Sequence, residues 1–179
     1  MDLFFGLSCD KTEGKNGSGR TAGGEDCMQE KTTTVQIVMP QHCNGYAKPR
    51  LFGGQIMAWI DVTGAVAARR YTQKAVTTVC IDNLNFLKPA YLNDTVVQEA
   101  VVTWTGNTSL EVRVDSLVER LDGARELINR AYVVFVALDG QDQASPVPRF
   151  IPETPEEIRE YEAAEQRRKV RLGRQNRES

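Results

Sequence analysis

One stretch of the chain, residues 55–70, constrains the fold more than any other, because it is apolar on nearly every side and still contains a carboxylate. Its apolar side chains recur at helical spacing, and between Gln55 and Ala68 the only ionisable group is Asp61. An unpaired carboxylate withdrawn from water costs several kcal/mol, so chains that keep one usually use it. The pattern predicts a covered helix with one functional candidate, Asp61.

This predicted helix needs more than one cover. Over residues 55–70 it would be roughly 24 Å long at 1.5 Å per residue, and a sheet can hide only one side of it. The simplest cover for the other side is a second copy of the same chain. We therefore expect strands packed around the helix and a dimer at least.

The strands are predicted from alternating and β-branched residues between turn signals. Gly106-Asn107 and Asp122-Gly123 each predict a hairpin. The strand between them alternates apolar and charged residues, which indicates one solvent-exposed face, whereas the strand after Gly123 is apolar on both faces and needs two covers. The predicted strands are 35–39, 76–86, 95–105, 109–120 and 127–138.

The segment Thr154-Pro155-Glu156-Glu157 predicts the start of a second helix, because it combines an N-cap, a proline at the first helical position and a capping-box glutamate. Acidic residues come early in this helix and basic residues late, as the helix dipole favours. We interpret it as a solvated surface helix. A basic cluster that meets a ligand's phosphate is the second interpretation, and nucleic-acid binding is a distant third.

Composition excludes several classes. The chain has 179 residues, which suits one domain, and its formal net charge of −2 argues against a nucleic-acid partner. No apolar run is long enough to cross a membrane. Four cysteines without paired spacing, accompanied by a single histidine, fit neither a zinc site nor a disulfide framework. We expect a cytoplasmic protein with reduced thiols, without a metal, and without a nucleic-acid or membrane partner. Residues 1–30 are polar and glycine-rich, which predicts a disordered tail.

Several motifs in order carry a family resemblance: MPQHCNGYAKPRLFGGQIMAWID, TTVCIDNLNFLKPAYLND, TGNTSLEVRVDSLVE, NRAYVVFVALD and VPRF. Together they resemble the hotdog-fold acyl-CoA thioester hydrolases, the bacterial enzymes related to the cytosolic and brain acyl-CoA hydrolases. The resemblance implies an α+β hotdog fold, in which an antiparallel sheet wraps around a long central helix, with a C-terminal surface helix added. It divides the chain into a tail (1–30), a hotdog domain (31–150) and a charged C-terminal helix (151–179).

The same resemblance implies an activity and an assembly. It implies hydrolysis of acyl-CoA to a free fatty acid and CoA, with no cofactor, in a dimer whose sheets are continuous and often in a trimer of dimers. The implied active site lies between protomers, where Asp61 of one chain meets Asn44 of its neighbour. The implied substrate- or CoA-binding residues are Gly53, Gly54, Thr108 and Ser109.

These residue types suit thioester hydrolysis. Asp61 could deprotonate water or attack the thioester to give a mixed anhydride, and the sequence leaves both routes open. Asn44 could orient the water or the carbonyl. Gly53 and Gly54 would let backbone N–H groups approach a carbonyl oxygen or a phosphate. Within one helical turn of Asp61, the small residues Ala58, Gly64 and Ala65 are expected to leave space for an acyl chain.

Two alternatives remain open at this point. His42, the only histidine, precedes the helix and could work with Asp61 in a hotdog hydratase or dehydratase acting on enoyl thioesters. A partly exposed structural histidine is the simpler interpretation. Alternatively, the chain could be a module that binds acyl-CoA without cleaving it, although retention of Asp61 argues against this.

Overall fold

The computed structural model describes residues 31–45 and 47–178, so the predicted tail at 1–30 lies outside the described residues. Two α-helices, one short 3₁₀ helix (Pro40–His42) and seven strands make up the regular structure of this part of the chain. The strands are β1 (Thr32–Ile37), β2 (Cys43–Asn44), β3 (Arg50–Leu51), β4 (Ala75–Phe86), β5 (Thr95–Thr105), β6 (Ser109–Glu119) and β7 (Arg125–Leu138); the helices are α1 (Gly53–Thr72) and α2 (Pro155–Glu178).

Five strands form one antiparallel sheet in the order β1-β5-β6-β7-β4, while β2 and β3 form a separate two-stranded ribbon. Both predicted hairpins are confirmed. One connects β5 to β6 after the Thr105–Leu110 pair, and the other contains Gly123 at a φ of 83°. Since β1 and β4 are the outer strands, each has a backbone edge without a partner in the sheet.

Helix α1 packs closely on one face of the sheet. At Gly64 a Cβ atom would lie 3.1 Å from the ring of Phe135 in β7, so glycine is what permits this approach. Beside it, the buried hydroxyl of Thr63 donates a hydrogen bond to Gln98 Oε1 at 2.9 Å. The predicted helix is confirmed, two residues longer at each end, and the predicted arrangement of a sheet around a central helix is present.

The opposite side of α1 stays open in a single chain. Met57 and Val62 expose 38% and 59% of their surfaces, and Asp61 between them is half-buried. Large apolar side chains rarely remain in water on one helix face unless a partner covers them. The expectation that one sheet cannot hide this helix therefore agrees with the structure.

Helix α2 covers the other face of the sheet, and this corrects the prediction for β6. That strand was expected to have one solvent-exposed face, but Glu111 on this face has no exposed surface. Its carboxylate accepts hydrogen bonds from Arg167 at 2.8 Å and from Arg171 at 3.1 Å, both on α2. At Glu111 and Arg113 the charged face of β6 thus meets a helix and not water, whereas Glu119 at the end of the strand stays partly exposed.

The start of α2 is confirmed in detail. The Thr154 hydroxyl accepts a hydrogen bond from the Glu157 backbone N–H at 3.2 Å, and the Glu157 carboxylate accepts one from the Thr154 N–H at 2.9 Å. The helix lies on the surface as predicted, but its inner side is not solvated. Ala164 is 1% exposed, and Arg113 of β6 donates to Glu160 at 2.9 Å.

Strand β1 differs from its prediction. The predicted strand 35–39 begins three residues earlier and ends at Ile37. Val35 and Ile37 each expose 56% of their surface, and Thr32 is buried on the other face. Because β1 is an edge strand, its outer side chains lie beyond the cover that α2 provides.

No helix in the described part of the chain is long and apolar enough to span a membrane.

We predict that Glu111→Ala lowers the free energy of unfolding by about 3 kcal/mol, because it leaves two largely buried guanidinium groups without their shared carboxylate. Urea unfolding followed by circular dichroism measures this. Glu119→Ala is the matched control, since its ion pair with Arg125 is solvent-exposed and should contribute less than about 1 kcal/mol. Equal losses in the two variants would contradict the buried role of Glu111.

Candidate active site

The carboxylate of Asp61 is held by the edge strand β4. Thr78 donates a hydrogen bond from its hydroxyl to Asp61 Oδ1 at 2.5 Å. The pair lies beside the open face of α1, so it borders both the sheet and the uncovered apolar surface. One carboxylate oxygen is thereby engaged, which orients the group and leaves Oδ2 for a reacting molecule.

Thr78 was missed by the sequence reasoning. It follows Thr77 in a strand whose residues alternate between the two faces of the sheet, and its pairing partner Phe135 belongs to the core face. A hydroxyl on the face that packs against α1 is the one signal that could have suggested it. The contact joins residues 17 positions apart on different elements, which local patterns do not reveal.

A second group of predicted residues meets at the N-terminal end of α1. Asn44 on β2 pairs with Arg50 on β3, and this ribbon places Asn44 at the rim of a cavity of about 410 Å³. Gly53, the first residue of α1, lines the same cavity. Its apolar walls include Leu51, Ile56, Phe86, Ala90 and Ile128. An amide, a helix N-terminus and an apolar lining therefore adjoin one another.

The two glycines allow close packing at this helix start. A Cβ atom at Gly54 would lie 2.4 Å from the Phe52 ring, and one at Gly53 would lie 3.3 Å from the Phe86 ring. Phe52 occupies the N-cap position, and its side chain makes no capping hydrogen bond. The first N–H groups of α1 are therefore suited to an external oxyanion or phosphate.

The single chain does not bring Asp61 to this cavity. Asp61 is absent from the cavity lining and lies about 12 Å along the helix axis from Gly53, at 1.5 Å per residue. The structure thus groups Asn44 with Gly53, and separately Asp61 with Thr78. The two groups would have to come from different chains to form one compact site.

The expected acyl space around Asp61 is smaller than predicted. The space beside Gly64 is occupied by the rings and methyl groups of Phe135 and Val114, so it offers no room for an acyl chain. Ala58 is exposed and Ala65 is half-buried. Any acyl group at Asp61 must therefore extend over the open face of α1 and not between α1 and the sheet.

Thr108 and Ser109 lie elsewhere. Both line a cavity of about 480 Å³ together with arginines of α2. Ser109 begins β6, where the following residue, Leu110, is fully buried in the core beneath α1. Because side chains alternate along a strand, Ser109 faces the α2 side of the sheet, opposite Asp61 of the same chain.

His42 has structural partners. Its Nδ1 accepts a hydrogen bond from the Met39 N–H at 3.1 Å, and its ring packs edge-on against Trp59 with centroids 5.1 Å apart. Its backbone carbonyl accepts from the Phe52 N–H at 2.8 Å. These contacts hold the loop against the start of α1, which favours the structural interpretation over a hydratase role.

The Cys80 thiol does not suggest a nucleophile. Burial, together with the neighbouring Asp82 carboxylate, raises the pKa of the Cys80 thiol, so the reactive thiolate is disfavoured at neutral pH. Within residues 31–45 and 47–178, no group of three or more histidine, cysteine, aspartate or glutamate side chains is arranged to hold a metal ion.

Comparisons with known proteins place the chain in a family. The family model described as Thioesterase superfamily matches residues 49–120. A Bacillus subtilis (strain 168) protein named as an uncharacterized acyl-CoA thioester hydrolase is 38% identical over 149 residues, covering 83% of this chain and 86% of that protein. The Rattus norvegicus acetyl-coenzyme A thioesterase is 32% identical over 151 residues, which cover 82% of this chain. The match spans only 27% of that enzyme's length.

Solved structures agree. The Staphylococcus aureus acyl-CoA hydrolase in complex with butyryl-CoA and CoA superposes with a TM-score of 0.76 at 32% identity, over 83% of this chain and 90% of that one. Solved structures of that enzyme also include variants with alanine in place of an asparagine, an aspartate or a threonine. A hexameric acyl-CoA thioesterase gives a TM-score of 0.75 at 35% identity, over 80% and 92% of the two chains. The chain therefore belongs to the thioesterase superfamily and is a thioester hydrolase of the hotdog fold.

Proposed function

We propose that this protein hydrolyses acyl-CoA thioesters to free fatty acid and CoA, with Asp61 as its catalytic carboxylate. The observation that carries the proposal is the position of Asp61, half-buried on the open apolar face of α1 with its carboxylate oriented by Thr78. Relatives named acyl-CoA thioester hydrolases support the substrate class. No cofactor is needed, because the reaction requires only water, a base or nucleophile, and oxyanion donors.

The free Oδ2 of Asp61 is the reactive atom in both available routes. As a general base it would take a proton from water while the water oxygen attacks the thioester carbon. As a nucleophile it would attack that carbon itself, expel CoA as a thiolate and form a mixed anhydride that water then hydrolyses. In either route we assign Thr78 a positioning role, because its hydroxyl donates a hydrogen bond to the Asp61 carboxylate.

Asn44 and the start of α1 would supply the remaining groups from a neighbouring chain. The Asn44 amide can orient the attacking water or donate to the thioester carbonyl, and the N–H groups of Gly53 and Gly54 can stabilise the oxyanion. In one chain Asn44 and Gly53 line a cavity whose lining does not include Asp61. The exposed apolar residues Met57 and Val62 beside Asp61 give a second chain a surface to cover.

The Staphylococcus aureus variants support this choice of residues. In that enzyme the substituted aspartate and threonine are 17 positions apart, the same spacing as Asp61 and Thr78 here. The substituted asparagine precedes the aspartate by 15 positions there, whereas Asn44 precedes Asp61 by 17. The segment between the two residues is therefore two residues longer in this chain.

Self-association is part of the proposal. Hexameric thioesterases are among the similar structures, and we propose a dimer formed across the β4 edge and the open face of α1, with a trimer of such dimers as the larger assembly. Strand β4 has an unpaired edge, and Val79 on it is 55% exposed. A partner at this edge would reach Asp61 directly.

We predict that Asp61→Asn lowers kcat/KM for acyl-CoA by at least about 100-fold, since the amide keeps the shape but can neither accept a proton nor attack. Release of free CoA thiol from a series of acyl-CoAs of increasing chain length measures the loss. Asp122→Asn, in the exposed β6–β7 turn, is the matched control and should retain full activity. Activity preserved in Asp61→Asn would remove this residue from the mechanism.

Thr78→Val should lower kcat by about 10-fold with little change in KM, because the carboxylate loses its orienting hydrogen bond while the shape of the site is kept. Steady-state kinetics on one acyl-CoA separate the two constants. Thr77→Val is the control, since the adjacent exposed threonine makes no contact with Asp61. A change confined to KM would argue for a substrate contact in place of a positioning role.

A complementation experiment tests whether the site is shared. Asn44→Ala and Asp61→Asn chains should each be inactive alone, but a mixed dimer contains one site built from intact Asn44 and intact Asp61. Random mixing at equal amounts should restore about one quarter of wild-type activity, because half of the dimers are mixed and half of their sites are intact.

Native mass spectrometry must show the mixed species for the complementation result to count. If mixed dimers form and activity does not return, the two residues do not act together across chains.

A further inference from the structure

His42 lies at the junction of the two elements that would supply the oxyanion donors of the proposed site. Asn44 follows it by two positions on β2, and Gly53 and Gly54 begin α1. We call Asn44, Gly53 and Gly54 the oxyanion half of the site. These donors need a fixed spacing, because a displacement of about 1 Å in an active site can cost about 10²-fold in rate.

The ribbon that contains Asn44 is short. Only two residue pairs join β2 to β3, which are Cys43 with Leu51 and Asn44 with Arg50. An isolated two-stranded ribbon is marginally stable at best in water, and Asn44 itself is exposed. The position of Asn44 therefore depends on contacts that anchor the start of β2.

His42 closes the turn that leads into β2. In the 3₁₀ helix Pro40–His42, the His42 N–H donates to the Met39 carbonyl at 2.9 Å. The Met39 N–H in turn donates to His42 Nδ1 at 3.1 Å. The imidazole thus takes the part that a glutamate plays in a capping box, where it reaches back to the N-cap N–H. This contact fixes the direction in which the chain enters β2.

The same residue joins this turn to α1. Its backbone carbonyl accepts a hydrogen bond from the N–H of Phe52, the N-cap of α1, at 2.8 Å. Its ring meets Trp59 of α1 edge-on, with the two planes at 87°. Trp59 is partly buried against the core, so it offers a fixed surface. His42 therefore connects the start of β2 to the start of α1.

We propose that His42 is a positioning residue for the oxyanion half of the site, where its imidazole sets the distance between the Asn44 amide and the first N–H groups of α1. This inference rests on the proposed function. In this role His42 transfers no proton, because Nδ1 only accepts the Met39 N–H. Asparagine, which has an acceptor at the same place and exchanges no proton, should therefore replace it.

Steady-state hydrolysis of one acyl-CoA tests this role. His42→Ala should lower kcat about 10-fold while KM changes less than about twofold, because displaced oxyanion donors weaken transition-state stabilisation alone. His42→Asn should return kcat to within about threefold of wild type, since its side-chain oxygen can accept the Met39 N–H. Gln41→Ala, in the exposed neighbour within the same turn, is the matched control and should keep the wild-type kcat.

Mixed dimers show which half of the site His42 serves. His42→Ala chains combined with Asp61→Asn chains should recover about one quarter of wild-type activity, because one site of each mixed dimer keeps His42, Asn44 and Asp61 intact. His42→Ala combined with Asn44→Ala should give no more activity than His42→Ala alone, since both changes damage the same half. Native mass spectrometry confirms that mixed dimers form in both pairings.

Hydrogen–deuterium exchange tests the positioning without relying on catalysis. In His42→Ala the backbone amides of residues 43–52 should exchange at least about fivefold faster than in wild type, because the ribbon loses its anchor. His42→Asn should restore slow exchange there, and α2 should exchange at the wild-type rate in both variants. Faster exchange in the ribbon alone distinguishes a local anchor from a general loss of stability.

Four results would overturn the proposal. They are a wild-type kcat in His42→Ala, equal losses of kcat in His42→Ala and His42→Asn, unchanged exchange of residues 43–52 in His42→Ala, or mixed dimers in which His42→Ala complements Asn44→Ala and not Asp61→Asn. Equal losses in the first two variants would assign His42 to proton transfer instead. A wild-type protein that hydrolyses no acyl-CoA would contradict the proposed function, and the exchange measurement would still decide whether His42 anchors the ribbon.

Discussion

The close contact between α1 and the sheet at Gly64 governs the placement of the candidate site. The Phe135 ring fills the space that a side chain at Gly64 would need, and Thr63 next to it enters a buried polar chain through Gln98 to Ser116. A helix turns about 100° per residue, so Asp61 points about 200° away from Thr63. Once Thr63 is held in the interior, Asp61 must lie on the other flank of α1, beside β4.

The two faces of the sheet are covered by different chemistry. Helix α1 meets an apolar surface crossed by one chain of hydrogen bonds, whereas α2 is held by ion pairs around the fully buried Glu111. Neither helix covers the outer backbone edge of β4, which has no strand partner in the sheet. Asp61 lies beside that edge. The surface that most needs a partner is thus also the surface that contains the candidate carboxylate. In such an arrangement assembly and catalysis depend on the same contact.

Local patterns predicted the elements well and their surroundings less well. The helix from Gly53 to Thr72, both hairpins and the capping box at Thr154 follow from interactions within a few residues. The burial of Glu111 does not, because its partner Arg167 lies 56 positions later in the chain. Alternating charges in a strand indicate water only when no oppositely charged helix covers them. The capping box at Thr154 predicted that a helix starts there, but it did not reveal which face of the sheet that helix would cover.

The residues of the candidate site also differ in whether local sequence patterns could reveal them. Asp61 stood out because it is the only ionisable residue in an apolar stretch of one helix, and a helix is recognisable from neighbouring residues alone. The chemistry of Asp61 could therefore be argued before any fold was known. Asn44 came from a family resemblance alone, and Thr78 came from neither source, since its role depends on the way β4 passes beside α1. A sequence shows which group lacks a partner within its own element. The group that satisfies it is decided by packing between elements, and under the proposed function Asn44 and Asp61 would meet only by packing between chains.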